Sequence, residues 1–187
     1  MVLRSTAQAP MPHGQGAADF DLKATDGRRY RPADARGPNG LVVMFICNHC
    51  PYVKGIIEDI VRDCASLKAE GIGAIAIMPN DTSAYPDDSF PNMAAFAATH
   101  KISFPYVIDE TQAVARAYGA VCTPDFFGFD RGLKLRYRGR LYATQGAKPK
   151  LGARHELLEA MRQVARTGTG PAEQEPSLGC SIKWRGE

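Results

Sequence analysis

The chain has 187 residues, of which 44% are hydrophobic and 23% charged, the size and balance of one soluble globular domain built on a single core. Its formal charge of +3, from 23 Lys and Arg against 20 Asp and Glu, is scattered along the chain, and without a basic stripe interleaved with aromatics it does not indicate nucleic-acid binding. The longest apolar runs, such as Leu41 to Ile46, are too short to cross a bilayer.

Residues 1–16 are rich in Pro, Gly, Ala and Gln and are expected to form a flexible arm. They include one Arg near the start but no apolar stretch of secretory length, from which a cytoplasmic location is expected. From Ala18 to Pro32, short alternating segments around Asp26-Gly27 predict a hairpin. Leu41 to Ile46 is a continuous apolar run suited to a strand buried on both faces. The helix that follows carries Val53, Ile56, Ile57, Ile60, Val61, Cys64 and Leu67 at spacings of three and four, opens on Pro51 and stops before Gly71. Ile72 to Met78 reads as a second strand. After a polar, Pro-rich loop come a helix over 92–99, a strand over 104–109 and a helix over 111–118. Beyond Thr123-Pro124, DFFGFD and LKLRYRG flank Arg131-Gly132 as a second hairpin, and a helix over 152–166 places Leu157, Leu158, Met161, Val164 and Ala165 on one side. Strands and helices in alternation imply an α/β domain over 17–166 with parallel strands and helices on both faces. Residues 167–187 read as a polar tail without periodicity.

The chemistry is carried by Cys47-Asn48-His49-Cys50, where a buried strand gives way to a helix. Free N–H groups and partial positive charge at a helix start favour a thiolate, the nucleophile of disulfide exchange. Two intervening residues let the second sulfur reach the first, so Cys47 would attack a partner disulfide and Cys50 would resolve the mixed disulfide. His49 would tune the Cys47 thiolate by charge or hydrogen bond, or would be a solvated helix-start residue. A CxxC is also half of many zinc sites, yet no second closely spaced Cys or His pair exists: Cys64, Cys122 and Cys180 are isolated, as are His13, His100 and His155.

Four stretches, DFDLKATDG, FICNHCPYVK, AYGAVCTPDFFGFD and PSLGCSIKW, resemble the thioredoxin-like superfamily. The likeness is to its redoxin branch, related to alkyl hydroperoxide reductases and thiol-specific antioxidants, and to the peroxiredoxin-like proteins of bacteria. It runs from about Ala18 to Trp184. It implies a thioredoxin-like fold, a central mixed sheet flanked by helices with an N-terminal hairpin extension and a C-terminal tail. It further implies that Thr123-Pro124 is a cis-proline loop facing the CxxC and presenting backbone to a substrate chain; an ordinary strand-entry proline is the other reading. In peroxiredoxins the peroxide-attacking cysteine takes the second position of the motif, with Thr at the first. Cys50-Pro51 fits, but Cys47 replaces the Thr and Pro124 stands where an Arg is expected, leaving Arg116 or Arg136 as substitutes. Ile46 replaces the Trp that precedes the motif in many thioredoxins.

Of the other cysteines, Cys64 lies on an apolar helix stripe and reads as a small core residue. Cys122 reads either as a third redox thiol near the CxxC or as a small residue in a crowded loop. Cys180, in the tail, would resolve an oxidised Cys50, cap the site, or be an incidental exposed thiol. The acidic loop around Asp81, Asp87 and Asp88 lacks ordered ligand spacing and reads as solvated. The leading expectation is a thiol–disulfide oxidoreductase working without a cofactor, whose partners are a protein or small-molecule disulfide and a cellular thiol reductant. A thiol peroxidase attacking through Cys50 is the alternative, and a metal or cofactor carrier using Cys47, Cys50 and Cys122 a third.

Overall fold

The structure, a computed structural model, describes residues 2–8 and 12–186. In chain order its elements are β1 (Leu3–Ser5), β2 (Leu22–Lys23), β3 (Arg29–Tyr30), α1 (Pro32–Ala35), β4 (Gly40–Phe45), α2 (Pro51–Lys54), α3 (Ile57–Ala69), β5 (Ile72–Met78), α4 (Phe90–Thr99), β6 (Tyr106–Ile108), α5 (Ala113–Tyr118), β7 (Cys122–Thr123), β8 (Asp125–Phe129), β9 (Leu135–Gly139), β10 (Thr144–Gln145), β11 (Lys148–Pro149), α6 (Glu156–Thr167) and β12 (Leu178–Ser181).

The main sheet has five strands in the order β6-β5-β4-β8-β9. β4 runs parallel to β5, and β5 to β6, whereas β8 runs antiparallel to both β4 and β9. β4 is buried along its whole length, as its unbroken apolar run requires. Side chains alternate across a strand, so Val42, Met44 and Ile46 enter a core filled by α3 and α6, while Leu41, Val43 and Phe45 enter a second core with α5. This is the thioredoxin-like arrangement, a central mixed sheet flanked by helices. The early hairpin also forms, β2 against β3, with Gly27 at φ +85° in its turn and the Arg28 N–H donating to Asp26 Oδ1.

Two expectations are corrected. The helix predicted as continuous after Pro51 is broken at Gly55–Ile56 into α2 and α3, Ile56 leaving helical geometry at φ −129°, ψ 0°. The Ala147 carbonyl presses so closely there that a Cβ on Gly55 would lie 1.7 Å from its oxygen. The arm and the tail, expected to be loose, instead contribute β1 and β12 to a three-stranded sheet in the order β1-β12-β7. Leu3 pairs with Cys180, and Cys180 pairs on its other side with Thr123. Residues 1, 9–11 and 187 of those segments lie outside the described residues. No helix among the described residues is long and apolar enough to cross a membrane.

Phe127 is fully buried, packed edge-on against Phe45 at 5.7 Å and Tyr118 at 5.4 Å. Phe127→Ala is therefore expected to destabilise the protein by about 3–5 kcal/mol, read as a lower urea midpoint with an unchanged slope.

Candidate functional site: a buried thiol cluster

The site forms where β4 ends. Ile46 is still tied to β5 by its N–H to the Ile77 carbonyl, and the chain then turns through Cys47–Cys50 into α2. Cys50 is the residue before the first helical turn and Pro51 opens that turn, where a missing N–H leaves no bond unmade. Both motif cysteines are fully buried. Thr123 faces them from β7, joined to Pro124 by a cis peptide bond. Its hydroxyl lies 3.2 Å from Cys47 Sγ and its carbonyl oxygen 3.3 Å from Cys50 Sγ. Cys180, from β12, places its Sγ 2.6 Å from Cys50 Sγ.

A buried carboxylate organises the turn. Asp88 Oδ1 accepts the Asn48 N–H at 2.8 Å and the His49 N–H at 3.3 Å. Its Oδ2 meets His49 Nδ1 at 2.7 Å and accepts Asn80 Nδ2 at 2.8 Å. Asn48 is held further by Tyr106, whose hydroxyl donates to its side-chain oxygen at 2.9 Å. Asp88 thus leaves the solvated loop assigned to it. Asp81 is also buried, its Oδ1 accepting from Ser83, while Asp87 is exposed as expected. Asp88, Asn48, Asn80 and Tyr106 carry no sequence spacing that marks them as a set.

The two motif thiols differ in charge. Cys50 is pulled down to about 5 by the hydrogen bond from the Cys47 thiol, against burial, with further help from the Cys180 thiol and the Val53 and Cys180 N–H groups. Cys47 is pushed well up, by sharing its proton with Cys50, by burial and by the nearby Asp88 carboxylate. Cys180 is pushed up to about 12, chiefly by burial and then by its bond to Cys50. Cys50 is thus the thiol most favoured to ionise, with Cys47 and Cys180 placed as proton donors to it.

The remaining sequence candidates fall as follows. His49 spends Nδ1 on Asp88 and stacks its ring on Tyr85 at 5.7 Å; Asp88 raises its pKa through that hydrogen bond. Cys122 lies against the Pro124 carbonyl at 3.5 Å, and burial, then the Asp125 charge, push its thiol well up. It is Thr123, next along the strand, that touches the motif sulfurs. Cys64 is a buried core residue whose pKa burial raises. Arg116 lies over the Trp184 ring at 4.3 Å, and Arg136 binds Asp130 at 2.7 Å, so both proposed substitutes for the peroxidase Arg are engaged elsewhere. Ligand atoms of Cys47, His49 and Asp88 fall within 4.8 Å of one another, a donor set that does not include Cys122; the Asp88 oxygens in it already accept the bonds described above.

A sequence model of the AhpC/TSA family matches residues 13–138. The crystal structure of an uncharacterised conserved protein from Geobacillus kaustophilus is 39% identical with a TM-score of 0.90, covering 100% of this chain and 98% of that one. A hypothetical protein from Sinorhizobium meliloti 1021 is 34% identical with a TM-score of 0.88, covering 95% and 97%. Among curated proteins, the thiol-disulfide oxidoreductase ResA of Geobacillus thermodenitrificans is 26% identical over 138 residues, 70% of this chain and 71% of that protein.

Removing a buried, multiply bonded carboxylate strands its partners. Asp88→Ala is expected to cost about 3–5 kcal/mol in urea denaturation. The pH dependence has a definite sign. His49's raised pKa makes its part of the pair fully stabilising below the unfolded value of ~6.5 and lost as pH climbs through the folded value. For Asp88, burial pushes upward, but the bonds from His49, Asn80 and Asn48 hold its pKa low, so its part is present above ~3.9 and lost as pH falls through that lower folded value. The stability gap between wild type and Asp88→Asn should be widest between about pH 4 and 6.5 and should narrow at alkaline pH.

Proposed function

The chain belongs to the AhpC/TSA family, and from that membership we propose that it is a thiol–disulfide oxidoreductase whose attacking thiolate is Cys50. What supports this reading is the setting of Cys50, at the helix start with Thr123 and the Cys180 sulfur against it, where its pKa is lowered while that of Cys47 is raised. This reverses the order expected from the sequence, in which Cys47 attacked and Cys50 resolved. At Cys47 the causes are first the proton shared with Cys50, then burial, with the Asp88 carboxylate adding to both.

The geometry supports a two-step exchange. The Cys50 thiolate attacks one sulfur of an incoming disulfide, and the other sulfur leaves as a thiolate that takes up a proton. Cys50, now in a mixed disulfide, carries no charge, so the first of the causes keeping Cys47 protonated disappears. Cys47 then gives up its proton, attacks Cys50 Sγ and expels the second substrate thiol, leaving a Cys47–Cys50 disulfide. A cellular thiol reductant would reopen that bridge. Thr123 and cis-Pro124 form the wall against which the two sulfurs react, and His49 acts through Asp88 as a positioning residue.

A thiol peroxidase is favoured by one observation, that its attacking sulfur would also be Cys50. The engagement of Arg116 and Arg136 elsewhere favours exchange over peroxide chemistry. Peroxide consumption, with Cys50→Ser as control, separates the two.

The test is the pH profile of alkylation by iodoacetamide, with the modified residue located by mass spectrometry. Cys50 is expected to titrate with a midpoint near 5. In Cys47→Ala, which lacks the first-ranked thiolate partner, the midpoint should climb toward the ordinary ~8.5. A low midpoint at Cys47 would overturn the assignment. In graded glutathione buffers a reversible bridge involving Cys50 should appear with one defined midpoint, and Cys50→Ser should abolish exchange altogether.

A further inference from the structure

β7 is short and lies directly beside both motif sulfurs through Thr123. An extended polypeptide approaching Cys50 would gain main-chain hydrogen bonds by adding as a strand along β7, the usual way an open sheet edge captures a peptide. That edge is already occupied. β12 pairs with it, Cys180 opposite Thr123 and Ser181 opposite Cys122, and β1 covers the far side of β12. The strand is fastened at both ends. Ser177 donates its hydroxyl to the Gly139 carbonyl at 2.7 Å and exchanges bonds with Thr6. Beyond the strand, the Lys183 N–H donates to Asn80 Oδ1 at 2.9 Å and the Lys183 carbonyl accepts from Gln112 at 2.8 Å.

We infer that β12 is a built-in occupant of the substrate edge, presenting Cys180 to Cys50 as a tethered thiol and restricting the site to low-molecular-weight disulfides. The inference rests on Cys50 being the nucleophile and deepens that reading by naming its substrate class and a third reacting thiol. Cys180 Sγ, at 2.6 Å from Cys50 Sγ, is within the ~3–3.5 Å of a near-attack arrangement, which gives an intramolecular thiol a large advantage over a dissolved one. The Cys50 thiolate attacks a small disulfide RSSR, forming Cys50–S–S–R and releasing RS⁻. Cys180 loses its proton to that RS⁻ and attacks Cys50 Sγ, forming the Cys50–Cys180 bond and breaking the S–S bond between Cys50 Sγ and the RS sulfur, so that a second RS⁻ leaves. In sum, two protein thiols are oxidised to one disulfide and RSSR is reduced to two thiols. Cys47 can then attack Cys50 Sγ and expel Cys180, moving the bridge within the protein without further oxidant.

The full chain tests this with two probes, oxidised glutathione and a short extended peptide whose one cysteine is disulfide-linked to glutathione, followed by alkylation and mass spectrometry. With oxidised glutathione, Cys47→Ser should yield a Cys50–Cys180 bridge. The double variant Cys47→Ser/Cys180→Ser should instead accumulate glutathione on Cys50. Wild type should react with oxidised glutathione faster than with the peptide by about tenfold or more, since the peptide needs an edge that is seldom vacant. Gly179→Val should narrow that ratio, because a Cβ at 179 would lie 2.1 Å from the Thr123 carbonyl oxygen and must push the strand away. Glutathione trapped on Cys50 of Cys47→Ser with Cys180 still alkylatable would overturn the tethered thiol. Equal wild-type rates with both probes would overturn the restriction, whether or not Gly179→Val folds. A Cys50 inert to both would sink the oxidoreductase reading itself, and this inference with it.

Discussion

A carboxylate taken out of water must be given hydrogen-bond donors or it will not stay charged. Asp88 receives them from two backbone N–H groups of the motif, an imidazole and an amide. Those bonds fix the path of Asn48 and His49 between the cysteines, and with it the direction in which each sulfur points. They also place a fixed negative charge near Cys47. That charge adds to the shared proton and the burial that already disfavour ionisation at Cys47, while Cys50 is favoured by the thiol of Cys47, that of Cys180 and the Val53 and Cys180 N–H groups.

Around that anchor, the two motif sulfurs meet a third, Cys180, from 130 positions beyond Cys50. Each neighbour of Cys50 stabilises the thiolate by lending a proton, and each is raised in pKa by doing so. The arrangement couples the thiols: a change in the bonding of one alters the readiness of the others. Burial strengthens the coupling, since little water intervenes to screen it.

The parts of this architecture legible in the sequence were those with local or periodic signals. The continuous apolar run of β4, the stripe of α3, the Asp26-Gly27 turn and the hairpin of β8 and β9 all form as read. Thr123-Pro124 is cis and sits beside the motif. What escaped was set by contacts between remote segments. LGCS in β12 is short, contains a glycine and shows no alternation; it becomes a strand because β1 and β7 supply partners on both sides. Asp88 looked like any acidic residue in a polar loop until the fold brought the motif's N–H groups to it. The break at Gly55 depends on a carbonyl about ninety residues further along the chain, and nothing in the helical periodicity foretells it.

The placement of β12 also has a consequence for the order in which the protein is made. Cys180 is separated from Cys50 by 130 positions, and at a synthesis rate of ~5–20 residues per second the ribosome takes roughly 6 to 26 seconds to traverse such an interval. The central strands and the motif turn emerge well before the strand that completes the site. During that interval Cys50 has no Cys180 beside it and β7 has an open edge. Until β12 arrives, β7 lacks the strand that pairs with it in the finished fold.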